Sequence, residues 1–122
     1  MKKILAIGRA ERFSPNSVEK DAAILGSVVK LLAEKGYAVR TINETALKVD
    51  YHADIYLSMG RLPETVALLK SHEDNGAIVI NSAYGVEKCA RSLLDNTMKQ
   101  GGIPVPRAIS KYGYWVKRGD AA

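Results

Sequence analysis

The chain has 122 residues and a mass of 13.3 kDa; it is 47% apolar, 25% charged and carries a net charge of +5. That length suits one domain, and that composition excludes disorder, collagen and coiled coil as descriptions of the whole. A single cysteine excludes an intrachain disulfide and a cysteine-built zinc site, so a cytoplasmic, reducing compartment is the simplest expectation.

The opening Lys3–Gly8 is a short, continuously apolar run closed by glycine, as expected of a strand buried on both faces of a parallel sheet. It is too short for a signal-peptide core, and no apolar run approaches the roughly 20 residues a membrane span needs. Asn16 followed by Glu19 predicts a capping box, and Val18, Ala22, Leu25, Val29 and Leu32 form a helical stripe behind it. Lys35-Gly36 closes that helix. The β-branched and aromatic stretch Tyr37–Ile42 is the second strand, which completes a βαβ unit with a right-handed crossover. A polar connection follows from Asn43 to His52, with a helical turn near Glu44 to Leu47. Ala53–Ser58 is the third strand. A second helix is predicted from Leu62, Val66 and Leu69, with Pro63 in its first turn and Asn75-Gly76 at its end. Ala77–Ile80 is expected to be a fourth, fully buried strand. A third helix is predicted over 83–100, with Val86, Ala90, Leu93 and Thr97 along one face. Gly101-Gly102 stops it, Ile103–Pro106 is extended by its prolines, and Tyr112–Arg118 is a last, half-buried strand.

The alternation predicts an α/β fold: a mainly parallel open sheet of about four strands with flanking helices. Ligands of such sheets gather at the carboxyl ends of the strands. Three of these ends are polar: Gly8-Arg9, Gly60-Arg61 and Asn81-Ser82. A guanidinium beside a glycine turn suits a carboxylate or phosphate, although Arg9 and Arg61 read equally well as solvated loop residues. No glycine-rich dinucleotide fingerprint or P-loop is present. His52 and His72 lack metal-ligand spacing and read as surface histidines. Cys89 lies beside the third helical stripe and reads as a buried structural thiol. From Val86 onward seven Lys or Arg face three acids. With Tyr112, Tyr114 and Trp115 this basic end has some character of a single-stranded nucleic-acid platform, but too few strands are available to display the rings.

The segment 81–120 is the most informative. A buried strand ends in Asn81, and a helix carrying Arg91 and Thr97-Met98 follows. Then come Gly102-Ile103-Pro104-Val105-Pro106 and Tyr114-Trp115-Val116-Lys117. This order resembles the ATP-grasp superfamily where its first domain meets its nucleotide-binding domain. The preceding 80 or so residues are similar, in order of elements, to that family's small pre-ATP-grasp α/β domain. The similarity points toward ligases that modify a ribosomal protein or add amino acids to peptides.

The resemblance implies a pre-ATP-grasp domain over 1–102 and the start of an ATP-grasp domain over 103–122. It implies a carboxylate–amine or carboxylate–thiol ligase acting through an acyl-phosphate, with ATP and Mg2+ in the full-length protein. Lys117 would reach the ATP phosphates. Arg91 would replace a lysine that relatives carry in the preceding helix. Arg9, Asn16 and Arg61 are the candidates for contacts with a small-molecule or peptide carboxylate, or with an interface. The family's metal-binding acids lie downstream of the lysine strand. The chain alone is therefore expected to hold no catalytic residue, no metal and no tightly bound cofactor, its partner being the missing ATP-grasp domain. A homodimer through the tail is a further expectation, because Tyr114, Trp115 and Val116 must either pack back or pair with a second copy; membrane and nucleic acid are not expected partners. The alternative is a stand-alone flavodoxin-like binding or regulatory module for an anionic small molecule or a protein.

Overall fold

The structure, a computed structural model, describes residues 1–106, 111–113 and 116. It forms two compact units, Met1–Val86 and a second that begins at Glu87. The expected strand Tyr112–Arg118 and the tail contacts of Tyr114 and Trp115 lie largely or wholly outside the described residues.

The first unit is an α/β layer structure. Strands β1 (Ile4–Gly8), β2 (Val39–Asn43), β3 (Ile55–Ser58) and β4 (Ile78–Ile80) form one sheet, all parallel, in the order β2-β1-β3-β4. Helix α1 (Val18–Glu34) connects β1 to β2, and α2 (Pro63–Asp74) connects β3 to β4. These crossovers leave the centre of the sheet in opposite directions, so right-handedness sends the two helices to opposite faces. Both helices end in a glycine at positive φ, Gly36 at 88° and Gly76 at 90°, a conformation that side-chain-bearing residues resist.

Register explains which side chains meet. Leu5, Tyr56 and Val79 share a row on one face, where they pack with Ile7, Leu69 of α2 and Ala83 as the main core. Tyr56 and Ile7 are completely buried. Ile4 and Ala6 face the other side, where α1 lies over β1 and β2. The central strand is thus buried on both faces, as its unbroken apolar run predicts.

Three expectations are corrected. β4 is not fully buried: Ile78 and Ile80 are 48% and 53% exposed, because β4 is an edge strand and α1 covers only the β1–β2 half of their face. The capping box at Asn16 and Glu19 does not form. Helix α1 starts at Val18 behind Ser17, which makes no side-chain cap, and Ser14 Oγ instead donates to Asp21 Oδ2 at 2.5 Å. The long helix over 83–100 is two: α3 (Ala83–Lys88) and α4 (Arg91–Gln100), with Ala90 extended between them. That break splits the Val86–Ala90–Leu93 stripe, so Cys89 is exposed rather than a core thiol.

Candidate functional site

The two crossovers part between β1 and β3, and a crevice opens there at the carboxyl ends of the strands. A single buried side chain organises it. Glu44 directly follows β2 in a 3-10 turn over Glu44–Ala46, and only 3% of its surface is exposed. Its Oε1 accepts the Ala10 N–H at 2.7 Å; its Oε2 accepts the N–H groups of Arg61 and Leu62 at 2.8 and 2.9 Å. One carboxylate therefore fixes the loop after β1 and the loop after β3 together.

The neighbouring residues extend this network. Asn43 Nδ2 donates to the Arg9 carbonyl at 3.0 Å, while its Oδ1 accepts from the N–H and hydroxyl of Thr45. Arg9 Nε donates to the Met59 carbonyl at 3.2 Å, and its guanidinium lies 3.6 Å from Asp21. Ser58 Oγ accepts the Gly60 N–H at 3.1 Å, and Asn81 Nδ2 donates to the Ser58 carbonyl at 3.1 Å. All four strand ends are thereby linked. Gly60 has no room for a side chain: a Cβ there would lie 2.6 Å from Thr65 Cγ2 and 2.8 Å from Glu44 Oε2. A hollow of about 300 Å³ adjoins the crevice, walled by Glu44, Leu47, Leu62 and Thr65.

The expected site residues separate into groups. Arg9 and Arg61 are brought to adjoining loops, both half-buried. Asn16 is exposed in the turn before α1. Arg91 is exposed at the first position of α4, in the second unit. Lys117 lies outside the described residues. Glu44 escaped notice in the sequence because it stands in a polar connection; the available signal was an acid placed immediately beyond a strand end.

The amino end of the sheet holds a cluster that sequence spacing concealed. His52 and His72 meet edge to face with ring centroids 5.6 Å apart, and His72 stacks on the buried ring of Tyr56 at 4.8 Å. His72 Nε2 is sealed from solvent without a hydrogen-bond partner. Burial, and secondarily the neighbouring His52, hold the His72 pKa below the usual histidine value. His72 is accordingly a packed aromatic, not the surface residue that its spacing suggests. Among the described residues no group of three or more His, Cys, Asp or Glu side chains is placed to hold a metal ion. Nor is any described helix long and apolar enough to cross a membrane. Compared with family models, curated proteins and solved structures, the chain matches none.

Proposed function

We propose that this chain is the N-terminal, substrate-side domain of an ATP-dependent ligase, which joins a carboxylate to an amine or thiol through an acyl-phosphate. The observation that carries the proposal is the convergence of the Arg9 and Arg61 loops on Glu44 at the β1/β3 parting of the sheet. Open parallel sheets bind ligands at that point, and a guanidinium is shaped to grip a carboxylate. Glu44 already fills the backbone N–H groups of Ala10, Arg61 and Leu62, so an incoming carboxylate would meet the guanidinium groups in exchange for the partners they already hold, Asp21 in the case of Arg9. The strand ending in Asn81 and the Gly102-Ile103-Pro104-Val105-Pro106 step supply the ATP-grasp character. Arg9 and Arg61 take the substrate carboxylate, and Asn16, exposed in the turn before α1, is a further candidate contact. Arg91 and Lys117 serve ATP, and the Mg2+ that such phosphoryl transfer needs would be held by acids of the ATP-grasp domain that the resemblance implies.

The test uses the complete product of the gene, assayed for ADP release with ATP, a panel of amino acids and dipeptides as carboxylates, and hydroxylamine as a trap. The expected result is carboxylate-dependent ADP release with hydroxamate formation. Arg61→Ala, which leaves the backbone bonds to Glu44 in place, should raise KM for the carboxylate by about 10–100-fold, the worth of one charge-assisted hydrogen bond. The all-parallel β2-β1-β3-β4 order also favours a flavodoxin-like module. Carboxylate binding without any ATP turnover would select that reading and reject the ligase.

A further inference from the structure

At the opposite, amino end of the sheet lies a second concavity, a hollow of about 740 Å³ between the starts of β1 and β2 and the connection that enters β3. Its floor is apolar, with Leu5 and Ala53. Its rim carries Lys2, Lys3, Arg40 and His52 against the one carboxylate of Asp50. A concavity with an apolar floor and a few convergent charges is the usual form of a small-ligand site.

The rim is held in place from inside the core. Tyr56, fully buried, accepts the Ala53 N–H at 2.9 Å and donates its hydroxyl proton to the Tyr51 carbonyl at 3.2 Å. This fixes the segment that presents Tyr51 and His52. The Tyr51 ring in turn carries the Arg40 guanidinium, 4.5 Å from the ring centroid, and its hydroxyl accepts from Arg40 at 3.1 Å. Across the hollow, the Lys3 N–H donates to Asp54 Oδ2 at 2.7 Å, and its carbonyl accepts from the N–H groups of Asp54 and Ile55. Lys2 and Lys3 are thereby presented from a fixed backbone. The Arg40 fork needs little ordering to meet an anion, because its stacking has already oriented it.

We propose that this hollow binds a small organic anion with an apolar body, such as an aryl phosphate or aryl carboxylate. The apolar part rests on the floor of Leu5 and Ala53, and the anionic group meets Arg40 and Lys2. The proposal is independent of the ligase assignment, since the hollow lies at the other end of the sheet from Arg9 and Arg61. It is tested with phenyl phosphate as probe, and with inorganic phosphate and phenol as controls, titrated into the isotopically labelled 122-residue chain and followed by amide chemical shifts. Phenyl phosphate should saturably shift Lys3, Leu5, Arg40 and His52, at least about tenfold more tightly than either control, because neither control makes both contacts. Arg40→Ala should weaken it by about fivefold or more, Arg40→Lys by less, and Lys2→Glu should weaken it independently. Equal affinity for phosphate, indifference to both Arg40→Ala and Lys2→Glu, or shifts confined to the Arg9 and Arg61 loops would each overturn the proposal.

Discussion

Replacing Glu44 probes the device on which the carboxyl-end crevice depends. In Glu44→Ala, the N–H groups of Ala10, Arg61 and Leu62 lose their acceptor together. A hydrogen bond to a charged group contributes about 1.5–3 kcal/mol. Ala10 is buried, so its donor bears the full cost, whereas water can reach the half-buried Arg61 and Leu62 and offset part of theirs. The sum is about 3–5 kcal/mol, a large fraction of the 5–15 kcal/mol that stabilises an ordinary domain. Glu44→Gln separates charge from shape. Its amide oxygen can still serve Arg61 and Leu62, but its NH2 then faces the Ala10 N–H, and the expected loss is about 1.5–3 kcal/mol. Urea unfolding reads both variants as a lowered midpoint at unchanged slope. A Glu44→Ala protein within about 0.5 kcal/mol of the parent, the range of neutral surface changes, would refute the claim that this carboxylate holds the two loops.

Other substitutions test the same structure elsewhere. Gly60→Ala should cost about 1–3 kcal/mol in urea unfolding, because its Cβ would press on Thr65 and Glu44. Leu69→Ala, in the core, should cost about 2–5 kcal/mol, whereas Ile80→Thr on the half-covered edge strand should cost under about 1 kcal/mol; equal losses would mean that the outer face of β4 is buried after all. For His72 the folded state disfavours the proton, so the unfolded chain binds more protons between the lowered folded pKa and about 6.5. Its stabilising contribution is complete above that window and declines as pH falls through it. His72→Phe, which keeps the stack on Tyr56, should flatten the stability profile below about pH 6.5, and an unchanged slope would show that His72 is not the titrating group.

Much of the fold was legible because each element carries its own local signal. The apolar run at Ile4–Ile7, the stripe through Leu25 and Leu32, and the Gly36 and Gly76 stops are written within a few residues. What stayed hidden depends on partners distant in sequence. Ile78–Ile80 reads as a buried strand, yet whether a helix covers its second face is decided by where α1 lands. Glu44 looks like an ordinary loop acid until the ends of β1 and β3 close around it. His52 and His72 stand on different elements, and β3 brings them together through Tyr56. The break at Cys89–Ala90 has no glycine or proline to announce it, so the helical stripe of the sequence runs straight through it. Arg9 and Arg61 could be named because glycines mark their strand ends; their sharing of a loop anchor could not.

The most direct test of the central claim is to map carboxylate binding on the 122-residue chain itself. Amino acids and dipeptides, with their amides as controls that lack the carboxylate, are titrated while backbone amide shifts are followed. A carboxylate held at the parting of β1 and β3 should shift Gly8–Ala10 and Met59–Leu62, its amide control should not, and Arg61→Ala should weaken the response by about 10–100-fold. Carboxylates that leave those residues unmoved, or that act only at Lys3, Arg40 and His52, would contradict the placement of the substrate site.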